Sequence, residues 1–244
     1  MPRSPVSSRD GAPRHRPWPR SAPLASSRIS SGCAAGSLRE GGGQRTAPQR
    51  KTFPRLFLAR AEPFRLVGEQ VFLRPPERGD YEEWASLRAA SRNFLTPWEP
   101  SWPPDALSRS TFRARLARYG EDWRTDQGYN FFIFRSDETL AGGVGLSNLR
   151  RGVAETASLG YWIGEKFARQ SHMTAALPLV LDFAFDRLRL HRVEAACLPT
   201  NVPSRALLSH TGFHEEGYAR NYLLIDGKWQ DHVLFAILRD DWRG

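Results

Sequence analysis

The chain has 244 residues but only two cysteines, Cys33 and Cys197. They offer no disulfide framework and no metal-ligand spacing, which suits a reducing compartment. Its six histidines do not cluster as metal ligands would, so no metal is expected. No apolar run approaches the roughly 18 residues that a membrane helix needs. The N-terminal arginines precede no apolar core of a secretory signal. A cytoplasmic location and no membrane partner follow by elimination. Methionine is equally scarce, at Met1 and Met173 only.

A net positive charge is also missing from most of the chain, despite a formal net charge of +9 overall. Of 35 Lys and Arg and 26 Asp and Glu, 12 basic side chains and two acids (Asp10 and Glu40) fall in residues 1–60. That leaves 23 basic against 24 acidic groups in residues 61–244, a near-neutral body. A broad nucleic-acid grip by that body is disfavoured. Residues 1–60 are rich in Arg, Pro, Ser and Gly, which reads as a disordered tail. A sharper reading makes the tail an electrostatic tether to ribosomal RNA or another polyanion. A third is that the true start lies later, near Leu56 or Leu58.

What is present is one α/β layered domain over residues 61–244. Val71–Arg74 reads as a strand, then an amphipathic helix around Asp80–Ser91, with Asp80 as its N-cap and Glu82 and Glu83 in the first turn. The loop 94–100 is stiffened by prolines and loaded with aromatics. A helix follows over Leu107–Trp123, and Tyr129–Arg135 with Leu140–Leu146 reads as an antiparallel hairpin. After the strand Ala157–Ile163, a long helix over Ser171–Leu188 shows one apolar stripe, which Pro178 should bend or weaken. Arg192–Leu198 is a strand leading into a helix over Ser204–Thr211. Tyr218–Ile225 and Trp229–Leu238 close the chain as a hairpin around Asp226-Gly227.

Two strands that each lead into a helix at the same end of a sheet expose main-chain amides and helix N-termini, where a phosphate-bearing ligand binds readily. This points to a coenzyme A–dependent acyltransferase. Gly164–Thr174 is the first such loop, with Arg169 placed to meet phosphate oxygens; alone it reads equally as an ordinary strand–helix loop. Asn201-Val202-Pro203-Ser204 is the second. Asn201 suits an amide of a pantetheine arm, whereas Ser204 caps the next helix, protonates a departing thiolate, or does both. Trp98-Glu99-Pro100 and Asp226–His232 would line the opposing, acceptor side. His191 and Arg192 read as cover for a sheet edge.

Taken together, Asn93–Pro100, Leu146–Gly152, Leu159–Gly164, Asn201–Phe213 and above all Glu216–Leu234 (EGYARNYLLIDGKWQDHVL) resemble the GCN5-related N-acetyltransferase (GNAT) superfamily. More narrowly, they resemble its RimJ-type ribosomal-protein alanine N-acetyltransferases, over residues 64–242. The resemblance implies a mixed, mostly antiparallel sheet flanked by helices and splayed between two central parallel strands. Acetyl-CoA, the co-substrate, would lie between Leu159–Ile163 and Arg192–Leu198. Main-chain groups of Trp162, Ile163 and Gly164 would polarise its thioester. Arg169, Gln170, Ser171, His172, Met173 and Thr174 would hold its phosphates, with Asn201 and Ser204 along the pantetheine arm. Ser171 departs from the pattern, because glycine there lets backbone approach phosphate closely. Leu208 stands where many members carry a tyrosine acid, which leaves Ser204 or an ordered water.

The reaction so implied is direct attack by a neutral amine on the thioester. The acceptor would be the N-terminal α-amine, alanine or another small residue, of a ribosomal protein. An α-amine near pKa 7.8 is about a quarter neutral at slightly alkaline pH, against about one part in a thousand for lysine. No carboxylate stands out as a dedicated base; Glu99 and Asp231 are the candidates, either of which could instead hold a turn or an ammonium. A small-amine acetyltransferase and a non-catalytic ribosome-associated protein are the alternatives.

Overall fold

The computed structural model describes residues 64–242. The expected tail, residues 1–60, lies outside them. Strands β1 (Leu66–Val67) and β2 (Val71–Arg74) lead to helices α1 (Tyr81–Ala90), α2 (Arg92–Leu95) and α3 (Arg109–Arg124). Next come β3 (Tyr129–Arg135), β4 (Leu140–Arg150), β5 (Thr156–Ile163) and α4 (His172–Asp182). The chain ends with β6 (Arg192–Cys197), α5 (Val202–His210), β7 (His214–Ile225) and β8 (Lys228–Leu238). They form one eight-stranded sheet in the order β1-β2-β3-β4-β5-β6-β8-β7. It is antiparallel except where β5 and β6 pair in parallel.

Strand β3 shows why the sheet sits between two layers of helix. Its run Tyr-Asn-Phe-Phe-Ile-Phe-Arg is buried at nearly every position, so both faces are covered. Alternation sends Phe131 and Ile133 into a core shared with α4, and Phe132 and Phe134 into a second core with Trp84 of α1 and Phe112 of α3. Helix α4 supplies Met173, Ala176, Leu177, Val180 and Leu181 at helical spacing, all buried. Each such large apolar side chain contributes about 1.5–3 kcal/mol on burial. No helix among the described residues is long and apolar enough to cross a membrane.

Local structure departs from the sequence reading at three places. Asp80 precedes α1 but does not cap it. Its carboxylate takes two bonds from the Arg74 guanidinium (2.9 and 2.5 Å) and one from the Glu77 N–H, closing the turn before the helix. Pro178 stays within α4, and the winding changes five residues later, where Phe183–Arg187 forms a π-helical turn. The helix after β6 starts earlier than Ser204, with Val202 and Pro203 in its first turn and Asn201 as its cap. The final hairpin forms as expected, with Asp226 (φ 45°) and Gly227 (φ 75°) in the left-handed turn that matches strand twist.

Candidate active site

The register of the two parallel strands creates an opening. Pairing runs from Thr156 with Arg192 to Leu159 with Ala195 and stops there. Beyond that point β5 stays on β4 as far as Ile163, and β6 stays on β8 as far as Cys197. Each strand keeps its outer partner while the two part from one another, leaving a wedge with unpaired main-chain groups along both sides. Gly164 donates to the Ala141 carbonyl at 2.8 Å, which sets the alternation along β5. The amides of Gly164 and Trp162 therefore face β4, whereas those of Ile163 and Tyr161 face the wedge. Of the three residues expected to polarise a carbonyl, only Ile163 has its N–H free for that purpose.

The loop leaving β5 ends in a cradle of amides. Arg169 (φ 59°) and Ser171 (φ 61°) both adopt the left-handed conformation on either side of Gln170. Such an alternation turns successive N–H groups toward one point. None of the main-chain N–H groups from Arg169 to Thr174 donates a hydrogen bond among the described residues. Ser171 thus takes the backbone shape usual for glycine, at about 1–2 kcal/mol, and keeps its side chain in solvent. Arg169 is exposed and has no ion pair among the described residues. The Gln170 side chain donates to the Lys166 carbonyl and so folds back on the loop. Both ring nitrogens of His172 are buried without a partner. Burial first, and then Arg135, hold this histidine below its usual pKa, so it is a neutral ring packed edge-on against Phe167. Met173 and Thr174 enter α4, with Met173 part of the core.

At the wedge mouth, the Asn201 side-chain oxygen accepts from the Ser204 N–H at 3.2 Å. Ser204 is thus the capped residue rather than the cap, and its hydroxyl is left for other work. Beside it lies the Tyr161 hydroxyl, a residue the sequence reading passed over. It is buried and makes no hydrogen bond of good geometry. Cys197 is nearby and its thiol is pushed up to about 11, chiefly by burial. Leu208, fully buried, belongs to the core.

On the other face of the sheet is a cavity of about 420 Å³ lined by Trp84, Arg88, Glu99, Trp102, Arg115, Asn130 and Trp162, among others. Its floor is bare backbone at Gly143, Gly145 and Gly160; a side chain on Gly143 would run into the Trp162 indole. Arg88 organises the wall. Its guanidinium lies over the Trp102 ring at 4.3 Å and the Trp162 ring at 4.8 Å. Glu99 grips its edge through both oxygens, at 2.9 and 2.6 Å, and also accepts from the Trp102 indole N–H at 2.9 Å. A carboxylate so occupied holds a wall and is poorly placed to take a proton, contrary to the role considered for Glu99. Trp98, expected here, is not part of the lining; Trp102 is. Nor are Asp226–His232, although the Asp226 N–H reaches the Glu99 carbonyl at 3.0 Å.

Asp231 is likewise engaged. It accepts from the Tyr218 hydroxyl at 2.6 Å and the Asn221 N–H at 2.8 Å, pinning the irregular stretch of β7. The Tyr218 bond, followed by the Asn221 N–H, lowers its pKa, opposite to what a general base needs. Arg192, expected to cover a sheet edge, instead opens the interior strand β6 between Thr156 and Leu238, with its side chain paired to Glu194 and Glu216. No trio of His, Cys, Asp or Glu among the described residues could hold a metal ion.

The splayed parallel pair and the loop of free amides at the helix N-terminus match what the resemblance implied, and a cavity lies on the far face. A family model described as "Acetyltransferase (GNAT) domain" matches residues 70–214. The chain belongs to the GNAT acetyltransferase family. This GNAT chain is 38% identical over 177 residues to the probable N-acetyltransferase YjcK of Bacillus subtilis, covering 72% of this chain and 98% of the relative. It is 36% identical to the [ribosomal protein uS5]-alanine N-acetyltransferase of Escherichia coli K12, covering 73% and 92%. The solved structure of Mycobacterium smegmatis RimJ, in complex with CoA-disulfide, superposes with a TM-score of 0.70 at 33% identity, covering 75% of this chain and 91% of that one. The GNAT chain is therefore an N-acetyltransferase related to the RimJ-type ribosomal-protein alanine N-acetyltransferases, with the open mixed sheet of its structural relatives.

Proposed function

We propose that this acetyltransferase moves the acetyl group of acetyl-CoA to the N-terminal α-amine, alanine or another small residue, of a ribosomal protein. The observation that carries the reading is the wedge beyond Leu159 and Ala195, open beside the amide cradle on one side and the Trp- and Arg-lined cavity on the other. In this reading the phosphates sit on the N–H groups of Arg169–Thr174 with Arg169 alongside, and the helix dipole adds to the attraction. The pantetheine arm follows the unpaired edge of β5, past Asn201 and Ser204. The Ile163 N–H, directed into the wedge, polarises the thioester carbonyl.

Direct attack fits the side chains present. Cys197, the nearby thiol, stays protonated at working pH and is a poor nucleophile. Ser204 has no histidine among its hydrogen-bond partners to activate it. Glu99 and Asp231 are both spoken for, so the amine reaches the thioester already neutral and gives its proton to water. That requirement favours an α-amine over lysine by about two orders of magnitude in the neutral fraction.

Peptides beginning with alanine, including one from ribosomal protein uS5, are to be incubated with acetyl-CoA. Coenzyme A release and a single added acetyl group on the α-amine are the expected results. Acetylation of a small amine in preference to every peptide would move the acceptor class, and no turnover of any amine would sink the reading. The 12 basic residues of the first 60 are assigned to ribosomal RNA. Deleting them should reduce co-sedimentation with ribosomes at low salt while leaving peptide turnover unchanged; equal co-sedimentation would refute that role.

A further inference from the structure

The tyrosine that many members of the family use as an acid is replaced here by a buried leucine, yet the wedge contains a phenol from another element. Tyr161 stands two residues beyond Leu159, the last β5 residue paired with β6, and Cys197 stands two beyond its partner Ala195. Continuing the parallel register places Tyr161 opposite Cys197, across the gap and on the same face of the sheet as Leu159 and Ala195. Ser204, in the first turn of α5, adjoins the same hydroxyl. The Tyr161 oxygen is cut off from solvent and makes no hydrogen bond of good geometry among the described residues, although the Ser204 hydroxyl lies close enough to act on its titration. A buried phenol without a partner is costly unless something arrives to accept its proton.

We propose that Tyr161 is a catalytic residue whose hydroxyl donates a hydrogen bond to the coenzyme sulfur as it leaves. The inference rests on the acyl-transfer reading above and adds a group to that site. As the amine nitrogen forms its bond to the carbonyl carbon, the carbon–sulfur bond breaks and its electron pair passes to sulfur. The thiolate is held by the Tyr161 O–H and collects its proton from solvent on departure, while the amine's proton goes to water. The phenol remains protonated throughout. Burial pushes Tyr161 up to about 12, so the donor persists across the working pH range. The arrangement does for sulfur what a pair of fixed amides does for a carbonyl oxygen.

Tyr161→Phe removes one oxygen that makes no hydrogen bond of good geometry and leaves the ring in place, so unfolding temperature should be little changed. Kinetically, kcat should fall about 10–100-fold, the effect of one hydrogen bond to a charged group, with KM for acetyl-CoA within about threefold. The decisive readout is the titration of the thiol of bound coenzyme A, followed by thiolate ultraviolet absorbance. In the unaltered enzyme it should titrate at least about one pH unit below free coenzyme A, and in Tyr161→Phe it should return toward the free value. Unaltered kcat, or a lowered kcat with no change in that titration, would overturn the proposal. So would a bound thiol in the unaltered enzyme that titrates at or above the free value. The titration needs no acceptor, so an error in the acceptor's identity leaves it intact, whereas failure to bind coenzyme A defeats the acyl-transfer reading itself.

Discussion

Replacing Glu99 separates two roles that a carboxylate in an acetyltransferase cavity can play. Its partner Arg88 has a side chain only 10% exposed, and Glu99 itself is 20% exposed. Removing one member of so enclosed a pair strands the other charge, which costs about 3–5 kcal/mol. The open cavity beside Arg88 admits water and brings Glu99→Ala to the lower end, near 3 kcal/mol; the orphaned Trp102 N–H adds about 1 kcal/mol. For a domain of this size, about 2–4 °C is lost per kcal/mol, so the melting temperature should drop by roughly 8–16 °C. Glu99→Gln keeps the shape and the Trp102 bond and should lose less than half as much. Replacing Arg88 and Glu99 together with leucine should recover most of the stability, because no charge is left stranded. Differential scanning fluorimetry and acetyl transfer are to be measured on all three variants between pH 6 and 9. A wall residue predicts a raised acceptor KM in Glu99→Gln, with kcat within about tenfold and the acidic limb of the profile intact. A general base predicts a kcat loss of about 10²–10⁴-fold. A folded Glu99→Gln that melts like the parent, turns over 100-fold more slowly and lacks the acidic limb would refute the argument.

Other outcomes follow from the same contacts. Arg169→Gln should raise KM for acetyl-CoA about tenfold or more, the value of one charge-assisted contact, with kcat little changed; steady-state kinetics at saturating acceptor checks this. Asp231→Asn should leave the acidic limb of the pH profile unmoved, since that carboxylate serves the β7 irregularity rather than the chemistry. His172 is favoured neutral in the fold, so the stability it contributes is present above its unfolded value near 6.5 and is lost as pH falls toward its lowered folded value. Urea melts at pH 7 and pH 5 should show a smaller acid sensitivity in His172→Phe. Gly164→Ala should unfold at lower denaturant, since a Cβ there lands on the Leu87 side chain.

Much of this was legible in the sequence, because it depends on neighbours along the chain. Apolar spacing in α4, the unbroken run in β3 and Asp226-Gly227 each determine their element locally. The cap of α5 was legible too and was misplaced: Pro203 belongs in a first turn, which puts the cap at Asn201 and not at Ser204. The roles of Glu99 and Asp231 were hidden for a different reason. Their partners, Arg88, Trp102, Tyr218 and Asn221, are brought to them by a helix, a loop and a strand irregularity that no spacing rule encodes. Tyr161 was hidden because its importance depends on where β5 and β6 stop pairing, a property of two strands about 35 residues apart in the chain.

The hydrogen bond from Asp226 to Glu99 joins main chain to main chain. It therefore survives any change of side chain at either residue. The tip of the last hairpin can exchange its outward side chains freely while remaining moored to the rim of the cavity. The wedge formed by β5 and β6 is untouched by such exchanges. The position of that rim is thus fixed by backbone alone, whatever the hairpin displays.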